Sequence, residues 1–371
     1  MSITMLDYIQ ATAPTLTENL NNSKQITQTL VNEYVNNNYN GITIVACGSS
    51  YNGSMCARYF LMKYLKADVN LINPFTFVNH EHNFENKMMV FVSQSGCSTN
   101  TIECLKLMKN EGKRSVALVG RDDCDMKQIA DVTVNWMCGE EKIGFVTRGL
   151  TSLAFYWMLF ALEASLVKGY INQQEYNSAK EELAKAIELN HNYIEETIDK
   201  FNLNKEALTT YKRVYVLASG ACLGVAKEAA LKISETSCKM GLDVEIEEYI
   251  HGYNYSSDPD CLTLIIDNDG HSSSRRIIDI AKANPAITER TFVLTDSNEI
   301  DEQHAFRSNG STSWEVMPIY KLSCLQTLAY LMADNTNKFQ PYPGVIKFKE
   351  DSSVASKSRS NLYMDVKEFN K

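Results

Sequence analysis

No two cysteines in this sequence stand in a C-x-x-C spacing, although there are ten, at 47, 56, 97, 104, 124, 138, 222, 238, 261 and 324. Zinc-ribbon and dithiol redox motifs are therefore not suggested. Several of these cysteines lie in apolar runs, where a free thiol behaves as a small buried hydrophobe. Positive charge is also in short supply. The 36 Lys and Arg against 45 Asp and Glu give a net charge of −9, so no general affinity for nucleic acid or an anionic membrane is expected, and any anion site must be local. No signal-peptide pattern opens the chain, which makes the cytoplasm the expected compartment. No apolar run is clean enough for a membrane span. The most apolar stretch, residues 150–167, holds Thr151, Ser152, Glu163 and Ser165 and reads as a buried helix.

The 371 residues suffice for two domains with a sizeable core. Residues 4–37 read as polar-amphipathic helix. Apolar strands at 42–46, 69–72, 88–92, 116–119 and 132–135 alternate with helical patterns, which predicts a parallel, three-layer α/β sheet. Helices dominate from Thr147 to about Tyr211, and a second round of strands starts at Val214. "RVYVLASGACLGVAKEAALKI" repeats the layout of "GITIVACGSSYNGSMCARYF", with Cys47-Gly48 matching Ser219-Gly220 at an offset of 172. The strand at 262–266 lies 174 residues beyond that at 88–92, and 292–294 matches 116–119. Together these point to an internal duplication. The expected division is an N-terminal helical segment (1–38), a first domain (39–170), a helical linker (171–211), a second domain (212–345) and a tail (346–371).

Between the strand at 88–92 and the following helix stands a hydroxyl-rich turn, Ser93-Gln94-Ser95-Gly96-Cys97-Ser98-Thr99. Ligands of open α/β sheets bind beyond the carboxyl ends of the strands. A helix N-terminus there presents unpaired N–H groups and partial positive charge. Ser93, Ser95, Ser98 and Thr99 add hydroxyls, and Gly96 allows close backbone approach. That combination suits phosphate without a cluster of Lys or Arg, and Ser49 and Ser50, on the loop after the first strand, would complete the cradle. Helix capping is the plainer reading, but one or two hydroxyls suffice for a cap. The second copy has Asp267 and Asp269 where the first has Ser93 and Ser95. Like charges about 4 Å apart repel by about 4 kcal/mol at an effective dielectric of ~20. The second cradle is therefore expected to reject phosphate.

"KEAALKISE" places Glu228, Lys232 and Glu235 on one helix face. Taken alone this is a solvated face with an i, i+4 pair worth tenths of a kcal/mol. Its other faces carry Ala229, Ala230, Leu231 and Ile233, so the helix packs on a sheet. His251 follows Glu235 by sixteen residues, in an acidic segment. His80 and His82 form an H-x-H with no further ligand cluster, and no metal or cofactor is expected.

"ACGSSYNGSMCARY", "VSQSGCSTNT" and "AKEAALKISETS" with the later "HG" together resemble the sugar isomerase (SIS) domain family over about residues 30–350. The pattern is most similar to the tandem-SIS isomerase half of glucosamine-6-phosphate synthase and to the ketosamine-6-phosphate deglycases. The resemblance implies a sugar phosphate held by Ser50, Ser93, Gln94, Ser95 and Ser98. Thr147 would stand in for a serine of the G-V-A-S-T loop, where this chain has Gly144-Phe145-Val146-Thr147-Arg148, with a bulkier Phe145 and a new Arg148. It also implies that Glu235 shuttles a proton between C1 and C2 of the open-chain sugar, a task helped by a pKa moved toward neutrality. Lys232 would balance charge or hold a substrate hydroxyl, and Glu228 is counted with the binding residues. His251 would help ring opening or protonate the leaving amine. In the family that histidine reaches the neighbouring subunit's site, which implies a homodimer or higher homo-oligomer with shared sites.

The chain begins Met1-Ser2-Ile3, without the N-terminal cysteine of the synthase's glutaminase half, so glutamine-dependent amidotransfer is not expected of it alone. Glu140-Glu141-Lys142 and the altered loop resemble the deglycase-like relatives. The expected activity is cleavage of a ketosamine 6-phosphate to a hexose 6-phosphate and an amine. An aldose–ketose phosphate isomerase or ammonia-using aminosugar-phosphate enzyme would use the same base. A non-catalytic phosphosugar sensor is the third reading, and the acidic balance without a basic segment argues against a DNA-binding regulator. Of the C-terminal lysines Lys357, Lys367 and Lys371, none is assigned a role.

Overall fold

The computed structural model describes residues 4–81, 85–336 and 338–359. Three helices open the chain: α1 (Met5–Gln10), α2 (Thr12–Asn21) and α3 (Ser23–Asn36). Then β1 (Gly41–Val45), α4 (Ser49–Leu65), β2 (Asp68–Ile72), α5 (Pro74–Asn79), β3 (Lys87–Ser93), α6 (Thr99–Asn110), β4 (Val116–Val119) and β5 (Val132–Asn135) alternate. Helices α7 (Arg148–Val167), α8 (Gln173–Leu203) and α9 (Lys205–Thr209) follow. The second round runs β6 (Arg213–Ala218), α10 (Leu223–Ser237), β7 (Met240–Glu245), α11 (Ile246–Ile250), β8 (Cys261–Ile266), α12 (Ser274–Ala283), β9 (Thr291–Leu294), β10 (Ala305–Phe306) and α13 (Pro318–Asp334). Last comes α14 (Pro343–Glu350).

The strands form two all-parallel sheets of five, in the orders β2-β1-β3-β4-β5 and β7-β6-β8-β9-β10. The same order twice is the internal duplication in three dimensions. The turns repeat too. Gly48 after β1 and Gly220 after β6 have φ +56° and +59°, and Gly96 and Gly270 have +61° and +77°. These are left-handed values that a side chain would strain.

Two compact units result. One holds residues 14–180 with the described residues from 342 on; the other holds 181–341 with the described residues up to 13. The linear division drawn from the sequence differs for a physical reason. Helix α1 packs on α13, and residues 355–359 bond to the loop after β3, so both chain ends join the unit remote from them in sequence.

In the first unit β1, β3 and β4 are buried along nearly their whole length, which is why they read as unbroken apolar runs. Val45, Met89, Phe91 and Ala117 meet Phe77, Ile102, Leu105 and Met108 on one face. Each large side chain there contributes about 1.5–3 kcal/mol by leaving water. Helices α3 and α4 pack on α7. By composition α7 is long and apolar enough to cross a membrane, but it is buried as a core helix of its unit. Its interruption, Glu163, is buried and accepts from Ser23 Oγ at 2.7 Å and Tyr176 OH at 2.6 Å. In the second unit Tyr215, Leu217, Ile265 and Val293 pack against Tyr249, Ile277 and Ile278. Two edge strands, β7 and β10, are absent from the sequence reading. β7 lies half exposed and carries charge, and β10 has two residues; neither makes an apolar run.

Candidate active site

Strand order reverses between β1 and β3, so their carboxyl ends open a crevice at the switch point. The serines gather at this end of the first sheet. Because Gly48 turns the chain at once, α4 begins at Ser49, and Ser49 and Ser50 occupy its first turn, not the loop the sequence suggested. Ser98 is the N-cap of α6 yet makes no side-chain capping bond. Its hydroxyl lies 2.8 Å from Ser93 Oγ, and Ser93 Oγ lies 3.4 Å from Ser95 Oγ. Ser95 also accepts from the Cys97 N–H at 3.2 Å. The two loops are tied across the crevice, where Asn100 Nδ2 donates to Cys47 Sγ at 3.3 Å.

Two expected ligand hydroxyls are used elsewhere. Thr99 Oγ1 donates to the Ala355 carbonyl at 2.8 Å. Thr147, fully buried, donates through Oγ1 to Glu141 Oε1 at 2.7 Å and through its N–H to the same oxygen at 2.9 Å. Thr147 therefore shapes the wall and has no donor left for a ligand. Phe145 is buried beside it, and Arg148 donates to the Glu140 carbonyl at 2.6 Å.

The chain's end completes this region in a way the sequence did not disclose. The Thr99 N–H donates to Ser356 O at 3.1 Å, the Ser358 N–H donates to Cys97 O at 2.9 Å, and Lys357 forms an antiparallel bridge with Ser98. Arg359 holds this strap by ion pairs of 2.6 Å to Asp125 and 3.0 Å to Asp123. The strap brings Lys357 beside the serine turn. Lys367, Lys371 and His82 lie outside the described residues. Among the described residues no cluster of His, Cys, Asp or Glu could hold a metal, and His80 packs near Phe75.

In the other unit, helix α10 carries the residues expected to do acid–base work. Lys232 is buried between two carboxylates, 3.2 Å from Glu228 and 2.7 Å from Glu235. Burial disfavours its ammonium form, but the two carboxylates override this and hold its pKa above the ordinary value. Glu228 is wholly buried. It is a counter-ion inside the protein, which corrects its place among the substrate-binding residues. Glu235 has a side chain 36% exposed, so it alone of the three faces outward. His251 ends α11, exposed, and Tyr255 nearby in sequence is 92% exposed.

The second cradle is plugged. Lys321 of α13, fully buried, donates to Asp269 Oδ2 at 2.7 Å and to Leu294 O at 2.9 Å. Asp267 accepts from Ser274 and Thr295. Burial raises the Asp267 carboxyl to about 6, with the Asp269 charge adding to it. Burial pushes Asp269 the same way, but the Lys321 ammonium prevails and holds it low. The sequence argument counted two negative charges here; the structure adds a cation that already occupies the place. A lone lysine in the apolar run "PIYKLSCLQTL" was the available signal.

A doubly repeated parallel sheet with hydroxyls at its first switch point defines a tandem sugar isomerase fold, and residues 37–162 match the family model of the SIS domain. That match lies in the first of the two units. It is 24% identical over 220 residues to the glutamine–fructose-6-phosphate aminotransferase (isomerizing) of Bartonella quintana, a match covering 59% of this chain and 34% of that protein. The corresponding enzyme of Clostridium perfringens is 27% identical over 255 residues, covering 67% and 39%. The chain thus spans little more than a third of the length of these curated relatives. Among solved structures, a candidate phosphosugar isomerase from Clostridium difficile 630 superposes with a TM-score of 0.84 at 23% identity, covering 95% of this chain and 99% of that one.

Proposed function

We propose that this chain is an enzyme of sugar phosphates, specifically a deglycase that cleaves a ketosamine 6-phosphate to a hexose 6-phosphate and an amine. The observation that carries the phosphosugar reading is Ser98. A serine at a helix N-terminus that does not cap the helix and instead pairs with Ser93, which in turn lies against Ser95, is suited to an anion presented to that helix end. The buried Phe145 and the tethered Arg148, unlike the small residues of the synthase loop, favour the deglycase.

In the proposed reaction Glu235 takes the proton from C1 of the open-chain ketosamine while the C2 carbonyl oxygen gains one, giving an enaminol. Returning the proton to C2 leaves a C1 imine. Water adds to C1, and the C–N bond breaks with the amine leaving protonated. The buried Lys232 fixes Glu235 by their 2.7 Å ion pair, and His251 protonates the departing nitrogen. The exposure of His251, with Tyr253 and Tyr255 also exposed, supports its serving a second copy of the chain, in a homodimer.

The test incubates purified protein with fructose-lysine, glucose-lysine and fructose-aspartate 6-phosphates, and with fructose 6-phosphate alone or with ammonia, assaying released hexose phosphate and amine. Turnover of a ketosamine phosphate, lost in Glu235→Gln, is expected. Interconversion of fructose and glucose 6-phosphates in its place would make the chain an isomerase, and binding without turnover would make it a sensor.

A further inference from the structure

Behind the serine turn lies a cavity of about 830 Å³, bordered by Asn19 and Gln25 on α2 and α3 and by Arg121, Asn135, Lys142 and Gln94. Gln94 and Ser95 of the turn both line this open space. Two glycines make room for the Gln94 side chain. A Cβ at Gly149 would stand 2.2 Å from Gln94 Oε1, and one at Gly120 2.9 Å from Gln94 Cγ. Packing thus leaves a slot on one side and a cavity on the other. What fixes the amide in the slot is a hydrogen bond from Gln94 Nε2 to Glu141 Oε2, at 2.9 Å.

Glu141 is buried, and its carboxylate accepts four hydrogen bonds. Besides Gln94, the donors are the Thr147 N–H at 2.9 Å, Thr147 Oγ1 at 2.7 Å and the Gly149 N–H at 3.2 Å. The last of these, and the helix end itself, belong to the first turn of the 20-residue α7, where a negative charge is favoured. One carboxylate therefore joins three things: the serine turn through Gln94, the 144–147 loop through Thr147, and the N-terminus of the core helix. A buried carboxylate with four donors is held firmly, because leaving any of them unmade is costly.

We propose that Glu141 is a positioning residue for sugar-phosphate binding. It pins Gln94 in its slot and the 144–147 loop against the turn, which keeps the hydroxyls of Ser93, Ser95 and Ser98 in one array. This rests on the phosphosugar reading of the serine turn. Replacing the carboxylate by an amide of equal size removes one acceptor and sets an NH2 group against the donors of Gln94 and Gly149. The turn is then free to lean into the cavity.

The experiment is calorimetric titration of Glu141→Gln, Gln94→Ala and the double variant with fructose 6-phosphate. Glu141→Gln is expected to weaken binding about 10-fold, the scale of a lost charge-assisted hydrogen bond. In the Gln94→Ala background the same change should add less than about 2-fold, since its route is already cut. Glu141→Asp, which keeps the charge, should recover part of the loss. Unchanged affinity in Glu141→Gln, or full additivity in the double variant, overturns the proposal. A ligand-free readout separates this from the phosphosugar reading: the Gln94 side-chain amide resonances should be protected from solvent exchange in wild type and lose that protection in Glu141→Gln. If wild type binds no fructose 6-phosphate, the phosphosugar reading fails and the amide signal decides the positioning role. Should Glu141→Gln not fold, Gln94→Ala alone must show the 10-fold loss, and failure to do so also overturns it.

Discussion

A hydroxyl at a helix N-terminus can satisfy the helix or leave it for something else, and Ser98 leaves it. Ser98→Ala is expected to weaken fructose 6-phosphate binding about 10-fold while changing stability by less than about 0.5 kcal/mol, because no cap is lost. Calorimetry and urea unfolding on the same sample measure both. The opposite balance is expected at Lys232. Lys232→Met strands Glu228, wholly buried, without its cation, and should destabilise by about 3–5 kcal/mol, with much of this recovered in the Glu228→Gln/Lys232→Met pair. Denaturant midpoints of the three variants check this. Asp267 sets a pH effect of definite sign. Its folded pKa of about 6 lies above the ordinary 3.8, so the folded chain keeps a proton that the unfolded chain releases first. Its contribution to stability is fully present below about pH 4 and is lost as pH rises through about 6. Asp267→Asn should lack that loss, so its urea midpoint should climb relative to wild type between these values. Parallel pH profiles would remove Asp267 from this account.

At the scale of elements, the sequence disclosed what depends on burial and little of what depends on folding back. β4 appears at its expected residues because a strand covered on both faces must be apolar throughout, and the edge strand β5 appears at its own because Val132 and Val134 alternate with polar residues. The duplication was legible from Cys47-Gly48 and Ser219-Gly220, whose glycines do share a left-handed turn. The serine turn was legible for the same reason: a backbone requirement at Gly96 leaves a mark on the residue type. Nothing comparable marks the strap. Its bonds to Cys97 and Thr99 use backbone groups of residues 356 and 358, which any sequence possesses, and only Arg359 contributes a specific ion pair. Glu141 was visible as a letter, but its four donors are assembled from three separate elements. The strap makes a prediction of its own. Arg359→Ala loses the pairs to Asp125 and Asp123 that fasten the strap. Hydrogen exchange at the amides of Thr99 and Ser358 should then accelerate about 5-fold or more, with global unfolding nearly unmoved. Unchanged exchange would show that the strap is held without the Arg359 ion pairs.

For the molecule as a whole, the proposed sharing of His251 between copies can be read by complementation. Glu235→Gln and His251→Asn proteins should each be inactive. If His251 acts in its partner's site, one of the two sites in each mixed dimer is intact, so random exchange restores about a quarter of wild-type turnover. Activity assays before and after mixing through mild denaturation decide it. No recovery, with mixed dimers demonstrated by mass, would place His251 in its own chain's chemistry or outside it.

Lys321 in the second cradle has a consequence for counting. A duplicated fold invites the expectation of two ligands per polypeptide, and a tracer that measures bound phosphate would normally be scaled accordingly. Here one socket is filled by the chain's own ammonium, fastened to Asp269 and to the carbonyl of Leu294. Titration with any phosphorylated sugar, or with an inhibitor built on one, should reach its endpoint at one equivalent per chain. An inhibitor scaffold joining two phosphate mimics should therefore gain nothing from its second arm within a single chain.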